Sequence, residues 1–187
     1  MIIIIDNSVR IDNVRGISDA LRTLGVSDFK VVKTHSQLCR VRNVSGVILS
    51  GSEMMVTDAD METYSDKFML NMTALVRFDV PVLAICFGCQ LINRIFGGRL
   101  RKLDARLDRN VTIGLDGRRA SVKFNCGYLI ESLGPGMESL ATVKYKKEHH
   151  PCFVRHRERP VYGTLFHPES NPETHKIVGT FYGLCKT

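Results

Sequence analysis

The sequence predicts an α/β fold in three layers: a mostly parallel, open β-sheet flanked by helices, with a small antiparallel β element added in the second half. Two observations lead to this prediction. Short apolar runs alternate with helix-like segments in the first half of the 187-residue chain, a pattern typical of βαβ units. The second half instead carries closely spaced β-like runs, broken by "LDGRR" and "LGPGM". The length suits one domain, and we expect residues 1–187 to form it.

The parallel part of the sheet is predicted from four apolar runs, at residues 2–5, 29–32, 47–49 and 82–85. Between the first two runs, apolar residues recur at helical spacing at Val14, Ile17, Leu21 and Leu24. The glycine that follows, Gly25, is a typical helix end.

Two further helices are expected around the fourth run. A long one over residues 58–78 ends before Pro81, because the residue before a proline avoids helical angles. The other covers residues 90–96 and ends at a glycine pair. In the second half, β-like runs at 109–113, 121–124, 140–145 and 161–166 precede a final helix over residues 173–184.

The start of the chain and its six cysteines bear on its compartment. The stretch "MIIIID" is too short for an export signal or a membrane span, and we interpret it as a buried strand. Six cysteines are compatible with disulfides in an exported protein. Without an export signal, however, we expect a reduced, cytoplasmic protein that does not enter a membrane.

Basic residues dominate the charge, which is formally +7. They concentrate at residues 99–123 and 144–159, and such surfaces attract nucleic acid or acidic partners. Aromatic side chains are not interleaved with them, as stacking on nucleic acid requires. We therefore expect a solvated basic face and no nucleic-acid partner. If this face docks an acidic protein, we expect Arg118 and Arg119 to contribute.

The run "VLAICFGCQL" (82–91) contains two cysteines three positions apart, and three interpretations are open. A C-x-x-C at a helix start is typical of redox dithiols, but no Trp or Pro flanks this one. A zinc site would need further ligands from "HHPCFVRH" (149–156), whose spacing fits no standard zinc finger. The third interpretation is a nucleophile elbow at Cys86, where small residues at 84 and 88 let strand and helix approach and helix N–H groups favour a thiolate.

A cysteine nucleophile needs a base that is held by a third group. In "FHPES", His167 and Glu169 lie two positions apart at the end of a predicted strand, so both side chains point to one face. His156 and Glu158 have the same spacing, but no apolar strand delivers them. We therefore expect Cys86, His167 and Glu169 to form a catalytic triad.

Three motifs together resemble class-I glutamine amidotransferases over residues 2–184: "GVILSGSE" (46–53), "VPVLAICFGCQLINRIFGG" (80–98) and "LFHPES" (165–170). Within that family the chain is most similar to the free-standing amidotransferase subunits of GMP synthetases. The resemblance implies the flavodoxin-like fold of the family, hydrolysis of L-glutamine through a γ-glutamyl thioester, and delivery of ammonia to a separate, ATP-dependent synthetase. No cofactor and no metal are expected.

The resemblance also implies roles for individual residues. Backbone N–H groups at Gly51, Ser52 and Phe87 would form the oxyanion hole. The residues that would bind substrate are Gln90, Cys89, Asn125 and Cys126.

The chain departs from the family pattern at Ser52 and Glu53, where a second glycine and a proline are usual, and at Ala84, Cys89 and Cys126. A carboxylate at position 53 would change substrate choice if it entered the pocket. Hydrolysis of another γ-glutamyl amide or peptide is therefore an alternative function, and a non-catalytic regulatory module on the same scaffold is another. Oxidants are expected to inactivate the enzyme reversibly through a Cys86–Cys89 disulfide.

Overall fold

The chain folds around a seven-stranded sheet, and a second sheet of three strands packs beside it. The computed structural model describes residues 1–186. The strands are β1 (Ile2–Ile5), β2 (Phe29–Val32), β3 (Gly46–Leu49), β4 (Val82–Ile85), β5 (Arg99–Leu115), β6 (Arg118–Ser132), β7 (Met137–Tyr145), β8 (Glu148–His156), β9 (Val161–Thr164) and β10 (Phe166–His167). The helices are α1 (Arg15–Thr23), α2 (His35–Arg40), α3 (Asp58–Thr63), α4 (Ser65–Arg77), α5 (Phe87–Ile95) and α6 (His175–Leu184), with short 3₁₀ turns at Pro168–Ser170 and Pro172–Thr174.

Five strands of the large sheet are parallel, in the order β2-β1-β3-β4-β9. Strands β1, β3 and β4 have four residues each, and every one of these residues is buried. Short strands that are apolar throughout are typical of a parallel sheet covered on both faces. The mostly parallel α/β fold predicted from the sequence is therefore confirmed.

Helices cover both faces of this sheet. A Cβ built on Gly46 in β3 would lie 2.3 Å from Sγ of Cys185, so the end of α6 packs directly on that glycine. Leu49 is three positions further along β3 and faces the other way. There a Cβ built on Gly88 of α5 would lie 2.9 Å from Cβ of Leu49. Helices α5 and α6 thus lie on opposite faces.

The second half of the chain is antiparallel. Strand β9 pairs with β8, and β8 with β7, which completes the large sheet. Strands β5 and β6 form a long hairpin, and β10 joins it in the three-stranded sheet. Leu165 alone separates β9 from β10, so one segment passes from the large sheet into the small one. The added antiparallel element is confirmed, with longer strands than the sequence runs indicate.

One helix prediction is wrong. The segment 58–78 forms two helices, and Tyr64 between them has φ −117° and ψ 34°. No side chain of α3 is buried, whereas α4 buries Phe68, Leu70, Asn71 and Ala74. The apolar face that holds a helix on the sheet begins only after Tyr64, so packing does not keep the two segments collinear. None of the helices between residues 1 and 186 combines the length and the apolar character that crossing a bilayer takes.

Candidate active site

Cys86 stands at a sharp turn between β4 and α5. Its backbone has φ 51° and ψ −103°, a conformation that residues with a side chain rarely adopt and that occurs at functional sites. The N–H of Cys86 donates to the carbonyl of Thr164 at 2.7 Å, and its carbonyl accepts from the N–H of Gln90 at 3.0 Å. Gly88 has to be small, because a Cβ there would lie 2.7 Å from the carbonyl oxygen of Leu49. The strand, turn and helix predicted for "AICFG" are therefore confirmed.

His167 and Glu169 form the second part of the site. Nδ1 of His167 and Oε1 of Glu169 are 2.7 Å apart, a hydrogen bond that orients the imidazole. Their side chains are only 16% and 9% exposed. His167 ends β10, and Pro168 begins the 3₁₀ turn that carries Glu169. The two side chains come together through a strand end and a turn.

The position of Gly51 shows that Cys86 and His167 meet. Gly51 comes two residues after the end of β3, and a Cβ built on it would lie 3.2 Å from Cε1 of His167 and 3.7 Å from Cβ of Cys86. Cys86 follows a strand of the large sheet, whereas His167 belongs to the three-stranded sheet. The three residues expected to form the triad are thus brought to one place from two sheets.

The charge of His167 is set by its neighbours. Burial disfavours the imidazolium, but the charge and hydrogen bond of the Cys86 thiolate, followed by those of Glu169, outweigh burial and hold the pKa of His167 well above its ordinary 6.5. An imidazolium between a thiolate and a carboxylate results. This is the charge state that a cysteine nucleophile needs.

A narrow pocket of about 200 Å³ opens beside Cys86. Its lining includes Ser52, Phe87, Gln90, Asn125 and Cys126, so the structure brings three of the four residues expected to bind substrate to this pocket. The fourth, Cys89, is buried elsewhere: a Cβ built on Gly163 of β9 would come 2.8 Å from Sγ of Cys89.

The groups expected to form the oxyanion hole are held in fixed orientations. Phe87 is the first residue of α5, and the first N–H groups of a helix have no acceptor within the helix. The hydroxyl of Ser50 donates to the carbonyl of Gly51 at 3.0 Å and accepts the N–H of Asn7 at 2.9 Å. The peptide unit between Gly51 and Ser52 is therefore fixed before substrate arrives, as stabilisation of an oxyanion requires.

The carboxylate of Glu53 is turned toward the loop 8–13. It accepts the N–H groups of Arg10 and Ile11, at 2.7 Å and 2.5 Å, and the side-chain amide of Asn13 at 2.8 Å. Burial disfavours the carboxylate, but the N–H groups of Arg10 and Ile11 outweigh it and lower the pKa of Glu53. This departure from the family pattern anchors the loop beside Gly51 and is not part of the pocket lining.

Two residues at the site have little signal in the sequence. A Cβ built on Gly16 would lie 3.1 Å from Cγ of Glu169, so helix α1 packs on the triad. A glycine within a helical pattern is the only hint of this contact. Arg106 of β5 lines the pocket and donates to Asn125. Its place depends on a shift of strand register, for which the sequence has no marker.

The other interpretations of the cysteine and histidine motifs have different outcomes. The ring of His156 lies 4.8 Å from that of Phe96, and its Nδ1 accepts the N–H groups of Glu158 and Arg159. The competing pair therefore closes a turn after β8. Within residues 1–186, no three His, Cys, Asp or Glu side chains gather in a way that could hold a metal ion. All six cysteines lie in that range and are free thiols.

Comparisons with known proteins agree with this geometry. The sequence profile of the family described as glutamine amidotransferase class-I matches residues 3–186. The chain is 32% identical to the glutamine-hydrolysing GMP synthase of Desulfotalea psychrophila, over 77% of this chain and 29% of that protein. It is 29% identical to a free-standing subunit of the glutamine-hydrolysing GMP synthase of Pyrococcus abyssi, over 99% of this chain and 98% of that subunit. The chain thus spans less than a third of the first relative and nearly all of the second.

A solved structure shares the fold. A Thermoplasma acidophilum protein, described as one subunit of a GMP synthase, superposes with a TM-score of 0.81 at 23% identity. The match covers 99% of this chain and 93% of that chain.

Proposed function

The chain belongs to the family of class-I glutamine amidotransferases, and from that premise we propose that it hydrolyses L-glutamine and passes the ammonia to a separate synthetase. The observation that carries this proposal is Cys86 in its positive-φ turn, facing a His167 whose imidazole is held by Glu169. Similarity over nearly the full length of the Pyrococcus abyssi GMP synthase subunit supports a role of this kind.

In the first half-reaction, the Cys86 thiolate attacks the side-chain carbonyl carbon of glutamine. The N–H groups of Phe87 and Ser52 stabilise the negative charge that develops on the carbonyl oxygen. His167 donates its proton to the amide nitrogen, the C–N bond breaks, ammonia leaves and a γ-glutamyl thioester remains on Cys86. The raised pKa of His167 suits this step, because the imidazole must hold a proton when the nitrogen departs.

In the second half-reaction, water attacks the thioester carbonyl while the neutral His167 accepts its proton. The C–S bond breaks, glutamate is released, and Cys86 leaves as a thiolate beside the restored imidazolium. Glu169 stays ionised throughout and stabilises the imidazolium in both halves.

The ammonia acceptor we propose is an ATP-dependent synthetase of the GMP synthetase type, working with this chain in the cytoplasm. The near full-length match to one GMP synthase subunit supports a separate partner, and six free thiols suit a reduced compartment. Arg118 and Arg119 begin β6 next to the hairpin turn and are exposed. Reversing both to Glu is expected to weaken binding of the synthetase and its salt dependence. Unchanged affinity would exclude this contact.

Glutamate release from L-glutamine tests the reaction, measured with the chain alone and together with the synthetase. The wild type is expected to release glutamate, and Cys86→Ala and Cys86→Ser to lose at least about 10³-fold in kcat. Cys39→Ser is the matched control, because Cys39 is an exposed thiol on α2. A fully active Cys86→Ala would overturn the mechanism. Turnover of γ-glutamyl peptides but not of glutamine would favour the hydrolase alternative.

A further inference from the structure

Arg106 is the one basic side chain in the lining of the pocket beside Cys86, and no Asp or Glu of the described residues lines it. An amino acid substrate brings a carboxylate and an ammonium group on its α-carbon. A pocket with a guanidinium and no carboxylate is electrostatically complementary to the first of these groups.

A bulge in β5 places Arg106 at the pocket. Lys102 pairs with Tyr128, and Leu107 pairs with Cys126. Residues 103–106 of β5 therefore stand opposite a single residue of β6, Gly127. Bulges of this kind re-aim side chains and are frequent next to active sites.

The guanidinium lies close to the nucleophile. The carbonyl oxygen of Asn125 accepts from Nη2 of Arg106 at 3.2 Å and from Sγ of Cys86 at 3.6 Å. Because both hydrogen bonds end on one oxygen, the guanidinium nitrogen and the sulfur are separated by no more than the sum of these two lengths. A glutamine whose amide carbon contacts the sulfur extends its α-carbon over an interval of this order.

We propose that Arg106 determines substrate specificity by binding the α-carboxylate of the amino acid, an inference that rests on the proposed glutaminase function. In the resting enzyme, the guanidinium donates to the side-chain oxygen and the carbonyl of Asn125, which are both neutral acceptors. A carboxylate offers a charged, bidentate partner and forms the stronger pair. Substrates with a free α-carboxylate are selected, and their α-amides and α-esters are rejected.

Steady-state kinetics with L-glutamine and its α-amide test the inference. Arg106→Ala is expected to raise KM for glutamine about ten- to a hundredfold and to change kcat less than about threefold. The preference for glutamine over its α-amide falls by the same factor. Arg106→Lys restores part of it, since an ammonium attracts the carboxylate without the bidentate geometry. Arg109→Ala, an exposed arginine of β5 outside the pocket lining, leaves both constants unchanged. An unchanged KM, or an equal loss for both substrates, would overturn the inference.

Covalent labelling of Cys86 separates this result from the proposed function. The probe 6-diazo-5-oxo-L-norleucine carries an α-carboxylate, and iodoacetamide does not. Arg106→Ala is expected to slow labelling by the first probe at least about tenfold and by the second less than about twofold. If the wild type reacts with both probes but releases no glutamate, the proposed function fails and the inference stands. If the variant slows both probes equally, or the wild type reacts with iodoacetamide alone, the inference fails.

Discussion

Gly16 and Glu169 are in contact across two elements: a Cβ on Gly16 would lie 3.1 Å from Cγ of Glu169. The Oε2 atom of Glu169 is buried and finds no hydrogen-bond partner among residues 1–186. The carboxylate is therefore held by one hydrogen bond to His167 through Oε1 and by packing against α1. The absence of a side chain at position 16 is part of what positions the triad.

Gly16→Ala is expected to lower kcat about three- to tenfold, because the added methyl group displaces Glu169 from His167. Stability should not fall in parallel, since alanine favours the helix by up to about 1 kcal/mol over glycine. Glutamate release and thermal unfolding measure the two effects. Gly179→Ala in α6 is the control, because its Cβ would meet Leu24 at an ordinary 3.7 Å. Full activity in Gly16→Ala would show that the contact does not position the carboxylate.

Cys86→Ala is expected to lower the pKa of His167. Burial already acts to lower it, and the thiolate is the first of the groups that oppose burial. The wild-type ring should keep its second proton well above pH 6.5, whereas the variant should lose it at lower pH. Glu169→Gln should shift the midpoint in the same direction. Titration of the ring nitrogens by NMR gives all three midpoints, and equal values for wild type and Cys86→Ala would contradict the ion pair.

Glu53→Gln is expected to destabilise the fold by about 2 kcal/mol at neutral pH, through weaker hydrogen bonds to the loop 8–13. The pKa of Glu53 lies below its ordinary 4.5 in the folded protein. Its contribution is therefore present above that value and is lost as pH falls through the folded-state pKa. Urea unfolding of both proteins from neutral pH to about pH 3 should show a gap that closes on the acid side. Amide exchange of Arg10 and Ile11 should be faster in the variant, and a gap that widens with acid would refute the assignment.

Oxidation of Cys86 is expected to involve Cys126 as the second thiol. Both residues line the pocket, whereas Cys89 lies toward Gly163. Burial raises the pKa of Cys126 and of Cys89, so both remain thiols at neutral pH and oxidation begins at Cys86. Peroxide should convert Cys86 to a sulfenic acid, and condensation with the Cys126 thiol then releases water and forms the disulfide.

Mass spectrometry of cysteine peptides and recovery of activity with dithiothreitol identify the pair. Cys126→Ser is expected to make inactivation by peroxide irreversible, and Cys89→Ser to leave it reversible. The opposite result would return to the Cys86–Cys89 disulfide that the sequence spacing suggests.

The parallel half of the fold could be predicted from the sequence because each strand is a short run of buried apolar residues. The runs 2–5, 29–32 and 82–85 coincide with β1, β2 and β4. In such a sheet both faces are covered, so the apolar run and the strand end together.

The long hairpin could not be predicted in the same way. Leu100, Leu103 and Leu107 follow one another at intervals of three and four, which is helical spacing. They nevertheless lie in β5, where the bulge between Lys102 and Leu107 interrupts the alternation of a strand. The two-residue period, which would have revealed the strand, is lost at the bulge.

The candidate site divides along the same line. Cys86, His167 and Glu169 belong to local motifs whose geometry follows from adjacent residues, so sequence spacing was enough to predict them. Gly16 and Arg106 reach the site only through helix packing and strand register. Contacts of that kind join residues far apart in the chain and leave no local pattern.

The passage of one strand segment between two sheets has a mechanical consequence. The nucleophile is fixed to a sheet buried on both faces, whereas the base is paired with Lys123 on a hairpin whose outer residues face solvent. A protein that grips the hairpin can tilt the base relative to the sulfur without touching the pocket. The hairpin is in effect a lever with its fulcrum at Leu165, through which glutamine hydrolysis can be made to wait for a docked synthetase.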